Sequence, residues 1–201
     1  MLYLSILIVT LKDREEQFEE LHTHLMKQIE ENNFQDEVEI VVFQDDYEYL
    51  VGMKRNVLLE EATGLFTVFV DDDDLVPDDY VKTIVDIIKN NPDIDCIGFK
   101  GLLVSEDLGN KEFIHSVKYK EYSKDEKYYY RPPLHINPIK TEIAKQFKFP
   151  VLNRGEDFDW AIQILRSGQL HNEVFIDKIM YYYRFEWAKT AAQRRRDIDY
   201  D

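Results

Sequence analysis

Four consecutive acids, Asp71-Asp72-Asp73-Asp74, follow directly on an apolar run, and the pair Asp45-Asp46 follows another. Further along, Glu156-Asp157 stands behind Asn153-Arg154-Gly155. Like charges a few ångströms apart repel by about 1 kcal/mol even in bulk water, and by more near a protein interior. A hard divalent cation relieves that repulsion, and Mg2+ or Mn2+ favours one or two carboxylates together with phosphate oxygens. The residue types are therefore those of a divalent-cation site. The competing reading of the same aspartates is a solvated loop that caps the helix after Pro77. An EF-hand is excluded. With Asp71 and Asp73 at loop positions 1 and 3, positions 5 and 6 fall on Leu75 and Val76, which supply neither a ligand nor the glycine of the turn. Receiver domains also gather carboxylates at strand ends, but this chain is longer than they are and carries candidate site residues far beyond the first hundred.

These acids need elements to hold them. Leu2–Val9 reads as a strand buried on both faces. Asp13 with Glu16 forms a capping-box pattern before Phe18, Leu21, Leu25 and Ile29 at helical spacing. Val38–Phe43 is a second strand, Met53–Ala62 a helix closed near Gly64, and Leu65–Val70 a third strand that enters the four aspartates. Pro77 suits a first helical turn ahead of Val81, Ile84, Val85 and Ile88, and Ile94–Phe99 is a fourth strand. Alternating strands and helices predict a parallel sheet, whose ligands bind beyond the carboxyl ends of the strands. Two acidic clusters lie on that edge. The second half changes character, with β segments at Leu102–Val104, Phe113–Tyr119 and Tyr128–Ile136, and a short helix at Lys140–Lys145. A helix then follows Glu156-Asp157, and late strands are expected at Val174–Ile176 and Ile179–Tyr183.

The chain has 201 residues, a net charge of −15, a single Cys and 13% aromatic residues. That length suits one domain with a substantial core, and the aromatic content excludes a disordered chain. Lone Cys96 excludes a disulfide scaffold or a thiolate zinc site and fits a reducing compartment. The opening MLYLSILIVT lacks the basic flank of a signal peptide, and no run is long enough for a membrane helix. A cytoplasmic single domain is expected. Its acidity disfavours broad nucleic-acid binding.

Taken together, Gly52-Met53-Lys54-Arg55-Asn56, Ala62-Thr63-Gly64 and Phe69-Val70-Asp71-Asp72-Asp73-Asp74 resemble the nucleotide-sugar-binding half of glycosyltransferase family 2, enzymes of the GT-A fold. The opening Ser5–Thr10 strand, Asp45-Asp46 and Arg154-Gly155-Glu156-Asp157 match as well, so the resemblance spans roughly residues 2–185. It implies one compact α/β domain over 1–187, with a mostly parallel central sheet flanked by helices. Residues 1–100 would be the nucleotide-sugar-binding half, 101–187 the acceptor-binding half, and 188–201 a charged tail.

The resemblance also implies roles. Asp73 would hold a Mn2+ or Mg2+ ion on the diphosphate of a UDP-sugar, with Asp71 nearer the ribose and Asp74 assisting. Thr10, Leu11 and Arg14 would line the nucleoside pocket, with Asp72 beside them. Asp46 or Asp45 would accept the ring N–H of uracil. Arg55 would orient that carboxylate or reach the base or phosphates. Asp157, with Glu156 beside it, would deprotonate the acceptor hydroxyl, and attack would invert the sugar carbon. In the stretch where many relatives place a metal-binding His, this chain has Ile179–Phe185 without one, so Arg184 or Lys189 would supply the positive charge. The acceptor could be a glycan, a lipid-linked sugar, a protein or a modified base. His135 reads as structural or acceptor-adjacent, Tyr181 as core and cleft wall, and Tyr183 and Trp187 as candidate sugar-stacking rings. Arg194–Arg196 is either a solvated tail or an anionic contact. Two rival functions stand beside this one. A sugar nucleotidyltransferase would need a Gly-rich loop, which Val9–Arg14 lacks. The other rival is a nucleotide-sugar-binding module without turnover.

Overall fold

The computed structural model describes residues 1–105 and 109–184. Trp187, Lys189 and the Arg194–Arg196 run lie outside the described residues. In chain order, β1 (Leu4–Leu11), α1 (Glu15–Glu31), β2 (Val38–Asp45), α2 (Val51–Glu61), β3 (Phe66–Phe69), α3 (Tyr80–Asn90) and β4 (Cys96–Val104) alternate as the apolar spacing predicts. β1 pairs in parallel with β2 on one edge and β3 on the other. Leu4, Ile6, Leu7 and Ile8 are buried, as expected for a strand covered on both faces.

The remaining elements are β5 (Lys111–His115), β6 (Ser123–Lys124), β7 (Tyr128–Arg131), β8 (Ile139–Lys140), α4 (Thr141–Ala144), α5 (Glu156–Ser167) and β9 (Glu173–Arg184). β8 runs antiparallel between β3 and β4, which leaves β4 parallel to the first three strands. β9 pairs in parallel along one edge of β4, while β5 continues on the other edge beyond β8. β5, β7 and β6 form a flap at the end of the sheet. Leu102–Val104 therefore extends β4 instead of forming a new strand, and the two predicted late strands are one strand with register shifts opposite Phe99–Gly101.

Several local expectations are corrected by partners that are distant in sequence. The Asp13–Glu16 capping box does not form: β1 runs on to Leu11, residues 12–14 make a single 3-10 turn, and Asp13 accepts the Tyr47 hydroxyl at 2.6 Å. Pro77 precedes α3 by three residues, and the α3 amide of Val81 is satisfied by buried Gln28 of α1 at 2.9 Å. The Ala62-Thr63-Gly64 stretch is a clasp. Glu39 accepts from Ser5 and Thr63, and Ser5 Oγ accepts the Gly64 amide. A Cβ at Gly64 would lie 2.7 Å from the β1 backbone, so only glycine fits there.

Candidate active site

β1, β2 and β3 end on one edge of the sheet, and the acidic clusters sit there, as parallel-sheet geometry requires. The four aspartates leave β3 in different directions. Asp72 turns under β1, where its carboxylate accepts Thr10 Oγ1 at 2.8 Å and Arg14 Nη1 at 2.7 Å. Thr10 is therefore buried beneath the site instead of lining it, while Leu11 remains partly exposed above. Asp74 points inward, and its Oδ1 accepts the Arg184 amide at 2.8 Å. Burial, with Asp71 and Asp73 beside it, pushes the Asp74 carboxyl well up. Asp73 faces outward with a side-chain exposure of 47% and touches Arg14 at 3.2 Å. Burial of its surroundings and the charges of Asp71 and Asp72, partly offset by Arg14, raise it to about 6.

Asp71 is the most heavily partnered of the four. Arg55 Nη2 donates to its Oδ1 at 2.8 Å, His135 Nε2 lies 3.3 Å from its Oδ2, and its amide donates to the Tyr181 hydroxyl. Burial alone would raise this carboxyl, but the Arg55 guanidinium and His135 outweigh it and hold it below the usual range. The same two side chains reach across to α5. Arg55 Nε donates to Glu156 at 3.1 Å, and His135 Nδ1 stands 3.6 Å from Asp157. Arg55 and His135 thus tie the end of β3 to the start of α5. Arg55 also lies over the Phe69 ring at 5.0 Å, and over Phe149, which stacks on Trp160 of α5 at 4.7 Å. Gly155 just before α5 has φ +76°, a left-handed turn immediately ahead of Glu156 and Asp157 at the start of the helix. Arg55 Nη1 and His135 Nδ1 are both buried without a hydrogen bond.

Asp45 and Asp46 differ sharply in burial. Asp45 is sealed against Lys54, each only 2% exposed, and also accepts the Tyr49 amide at 2.9 Å. Asp46 is exposed at the rim. Glu156, bonded to Arg55 and buried, is likewise a holder of Arg55, whereas Asp157 is partly open at 32%. Arg184 closes the other side: its amide holds Asp74, Nε donates to the Asp73 carbonyl, and Nη1 reaches Glu20 at 3.0 Å. Tyr181 is buried wall, and Tyr183 lies partly exposed beside the aspartates with its hydroxyl pushed up to about 12 by burial and their charge.

Among the described residues no three His, Cys, Asp or Glu side chains are gathered into a metal cluster. Asp71, Asp73 and Asp74 diverge because Arg55 and the β9 backbone claim the first and last. What is left is one outward carboxylate, Asp73, beside like charges that a cation would relieve. A hard ion that takes one or two carboxylates and completes its shell with phosphate fits that set.

The sequence reads His135 as structural or acceptor-adjacent, without its bridging place, and assigns Lys54 no role. The Pro132-Pro133-Leu134-His135 stretch was the available signal, since a polar ring in an apolar, proline-fixed segment needs a partner. His115, also unforeseen, is buried between Phe99 and Phe113, and burial followed by the Arg131 charge lowers it to about 3. A depressed histidine contributes stability that is complete above its unfolded value and is lost as pH falls toward the folded one. From pH 7 to 5 this residue should cost the fold about 2 kcal/mol in urea denaturation. His115→Gln should flatten that slope. An unchanged slope would place the acid sensitivity elsewhere.

No family model matches the sequence. An uncharacterised glycosyltransferase of Methanocaldococcus jannaschii is 29% identical over 122 residues, covering 58% of this chain and 41% of that protein. Among solved structures, S. aureus TarS 1-349 in complex with UDP-GlcNAc matches with a TM-score of 0.64 at 19% identity, over 92% of this chain and 59% of that one. TarS 1-349 in complex with UDP gives 0.64 at 18%, over 92% and 61%. The chain spans about half the length of the proteins it matches. The fold is that of TarS: the compact α/β GT-A architecture expected from the sequence is the one observed. No helix of the described residues is long and apolar enough to cross a membrane.

Proposed function

We propose that this chain is a glycosyltransferase of the family 2 type that moves a sugar from a nucleoside-diphosphate sugar to an acceptor hydroxyl with inversion. One observation carries the reading: Arg55 bonds both Asp71 and Glu156, and His135 stands between Asp71 and Asp157, so a strand-end acid and a candidate base lie side by side. The M. jannaschii relative and the UDP complexes of TarS support it. Residues 1–100 hold the donor and 101–187 the acceptor in this reading.

Asp157 accepts the proton of the attacking hydroxyl, on the side of the sugar away from the leaving diphosphate. His135, fixed by Asp71, keeps that carboxylate pointed at the acceptor, and Glu156 fixes Arg55. Asp46 at the rim takes the uracil N–H of a UDP-sugar, and Arg14 with Arg184 brings positive charge to the diphosphate. Mn2+ or Mg2+ held by Asp73 would neutralise charge developing on the leaving group.

The test is UDP release from a panel of UDP-sugars with Mn2+, with and without chelator. Release that needs both a metal and an acceptor supports transfer. Consumption of a nucleoside triphosphate would instead indicate a nucleotidyltransferase, and UDP binding without release a module lacking turnover. Asp73→Ala is expected to weaken metal-dependent UDP binding by about tenfold or more, since it removes the one outward carboxylate. A metal titration identical to wild type would remove Asp73 from that role.

A further inference from the structure

The flap formed by β5, β6 and β7 is electrically unlike the rest of this chain. Residues 111–131 carry six basic side chains, Lys111, Lys118, Lys120, Lys124, Lys127 and Arg131, against four acidic ones, in a protein of net charge −15. None of the six has a carboxylate oxygen within 4.0 Å among the described residues, whereas most described basic residues elsewhere do. With 40 acids available, this segregation is a property of the surface and not of composition.

The strand register sorts the flap into two faces. Phe113 pairs with Tyr129, His115 with Arg131, and Lys124 with Tyr129. Alternation along each strand then places Lys111, Lys124, Tyr129 and Arg131 on one face, around the buried Phe113 and His115, and Glu112, Ile114, Tyr128 and Tyr130 on the other. The first face holds three cations and no acid. Lys111 Nζ stands over the Tyr129 ring at 4.5 Å, and the Arg131 guanidinium over the Tyr122 ring at 4.9 Å. Tyr122 meets Phe158 edge-on at 5.2 Å, and Phe158 is the neighbour of Asp157 on α5. Arg131 also acts on the hydroxyls of both Tyr122 and Tyr183, at the base side and the aspartate side of the cleft. A line of cations and rings therefore runs from the flap through Tyr122 to Phe158, beside Asp157 at the start of α5.

We infer that Lys111, Lys124 and Arg131, with Tyr129 and Tyr122, form an acceptor subsite that recognises an anionic sugar chain. This rests on the glycosyltransferase reading above and adds the acceptor's chemical class. Aromatic faces suit the apolar faces of sugar rings, and cations without a carboxylate partner take the negative groups between them, Lys111 also donating to the Asp125 carbonyl at 2.7 Å. Without such a segregated patch, the field of a −15 chain would repel an acidic acceptor.

Binding to the full chain tests this, using a heparin-derived hexasaccharide, the neutral maltohexaose and a single-stranded oligothymidylate. The sulfated hexasaccharide should bind at least about tenfold more tightly than maltohexaose, and weaken about tenfold when salt rises from about 50 to about 300 mM. Lys111→Gln/Lys124→Gln should lose about tenfold in that affinity, and the remote Lys27→Gln should not. Equal affinity for charged and neutral hexasaccharides, or an unaffected double variant, overturns the proposal. Tighter binding of oligothymidylate overturns it too, assigning the face to nucleic acid. Should the double variant misfold, the wild-type charge and salt comparisons decide alone. UDP titration of the wild type reads the donor site separately, so a protein that binds the hexasaccharide but no UDP fails the glycosyltransferase reading and not the charge of this face.

Discussion

Asp157→Asn is expected to lower sugar transfer by about 10²–10⁴-fold while leaving UDP affinity within about twofold of wild type. The substitution keeps the shape of the side chain and a polar contact toward His135 Nδ1, which lies 3.6 Å from the present carboxylate. What it removes is the capacity to accept a proton. The donor side should be unaffected, because Asp71 is held by Arg55 and His135, and Asp72 by Thr10 and Arg14. The measurements are kcat from UDP release and a UDP titration by calorimetry. Transfer at the wild-type rate would place the base elsewhere. A matching loss of UDP affinity would show that Asp157 supports the donor pocket.

Arg55→Met should unsettle the whole site. Arg55 is buried, bonds Asp71 and Glu156 with different nitrogens, and lies over Phe69. Methionine fills much of the volume but leaves Glu156 without its Arg55 partner and Asp71 with His135 alone. Breaking a buried ionic network by removing one partner costs about 3–5 kcal/mol, which for a chain of this size lowers Tm by on the order of 10 °C. The pH dependence carries the sign. In the wild type, Asp71 lies below the ordinary carboxyl range, so its contribution is present at neutral pH and lost only in strong acid. Without Arg55 its carboxyl rises, so the deficit against wild type should be largest at neutral pH and shrink as pH falls. Thermal denaturation at pH 7 and 4.5 checks both. A deficit that does not change with pH would mean that lost packing, not stranded charge, explains the variant.

Much of this site was legible because its signals are local. The β-branched runs before Asp45 and Asp71 gave strands, their parallel arrangement gave a common edge, and acids at that edge gave a candidate site. Boundaries failed where distant partners intervened. β1 runs to Leu11 because β2 pairs with it as far as Asp45, and this pulls residues 12–14 into a tight turn and cancels the capping box. In the same way, Gln28 and not a local side chain satisfies the first turn of α3. The late strand stays whole because β4 offers a continuous edge, with the sequence irregularity absorbed as a register shift.

The sequence by itself determined the residue types and their order: acids at two strand ends, Arg55 on the helix between them, and Glu156-Asp157 at a helix start. Only the tertiary structure decided what surrounds each acid. The chain turns beyond β3, with the Asp74 amide donating to the Asp71 carbonyl at 3.0 Å, so Asp71, Asp72, Asp73 and Asp74 share a motif but not an environment. Their environments come from Arg14, Arg55, His135 and Arg184, and the decisive bridges, Arg55 to Glu156 and His135 to Asp71, join residues far apart in the chain. Burial then sorts otherwise equal neighbours, sealing Asp45 with Lys54 and leaving Asp46 to solvent. No local spacing encodes that choice, because a carboxylate's role is set by the cation and the solvent beside it, and both arrive only when the sheet closes.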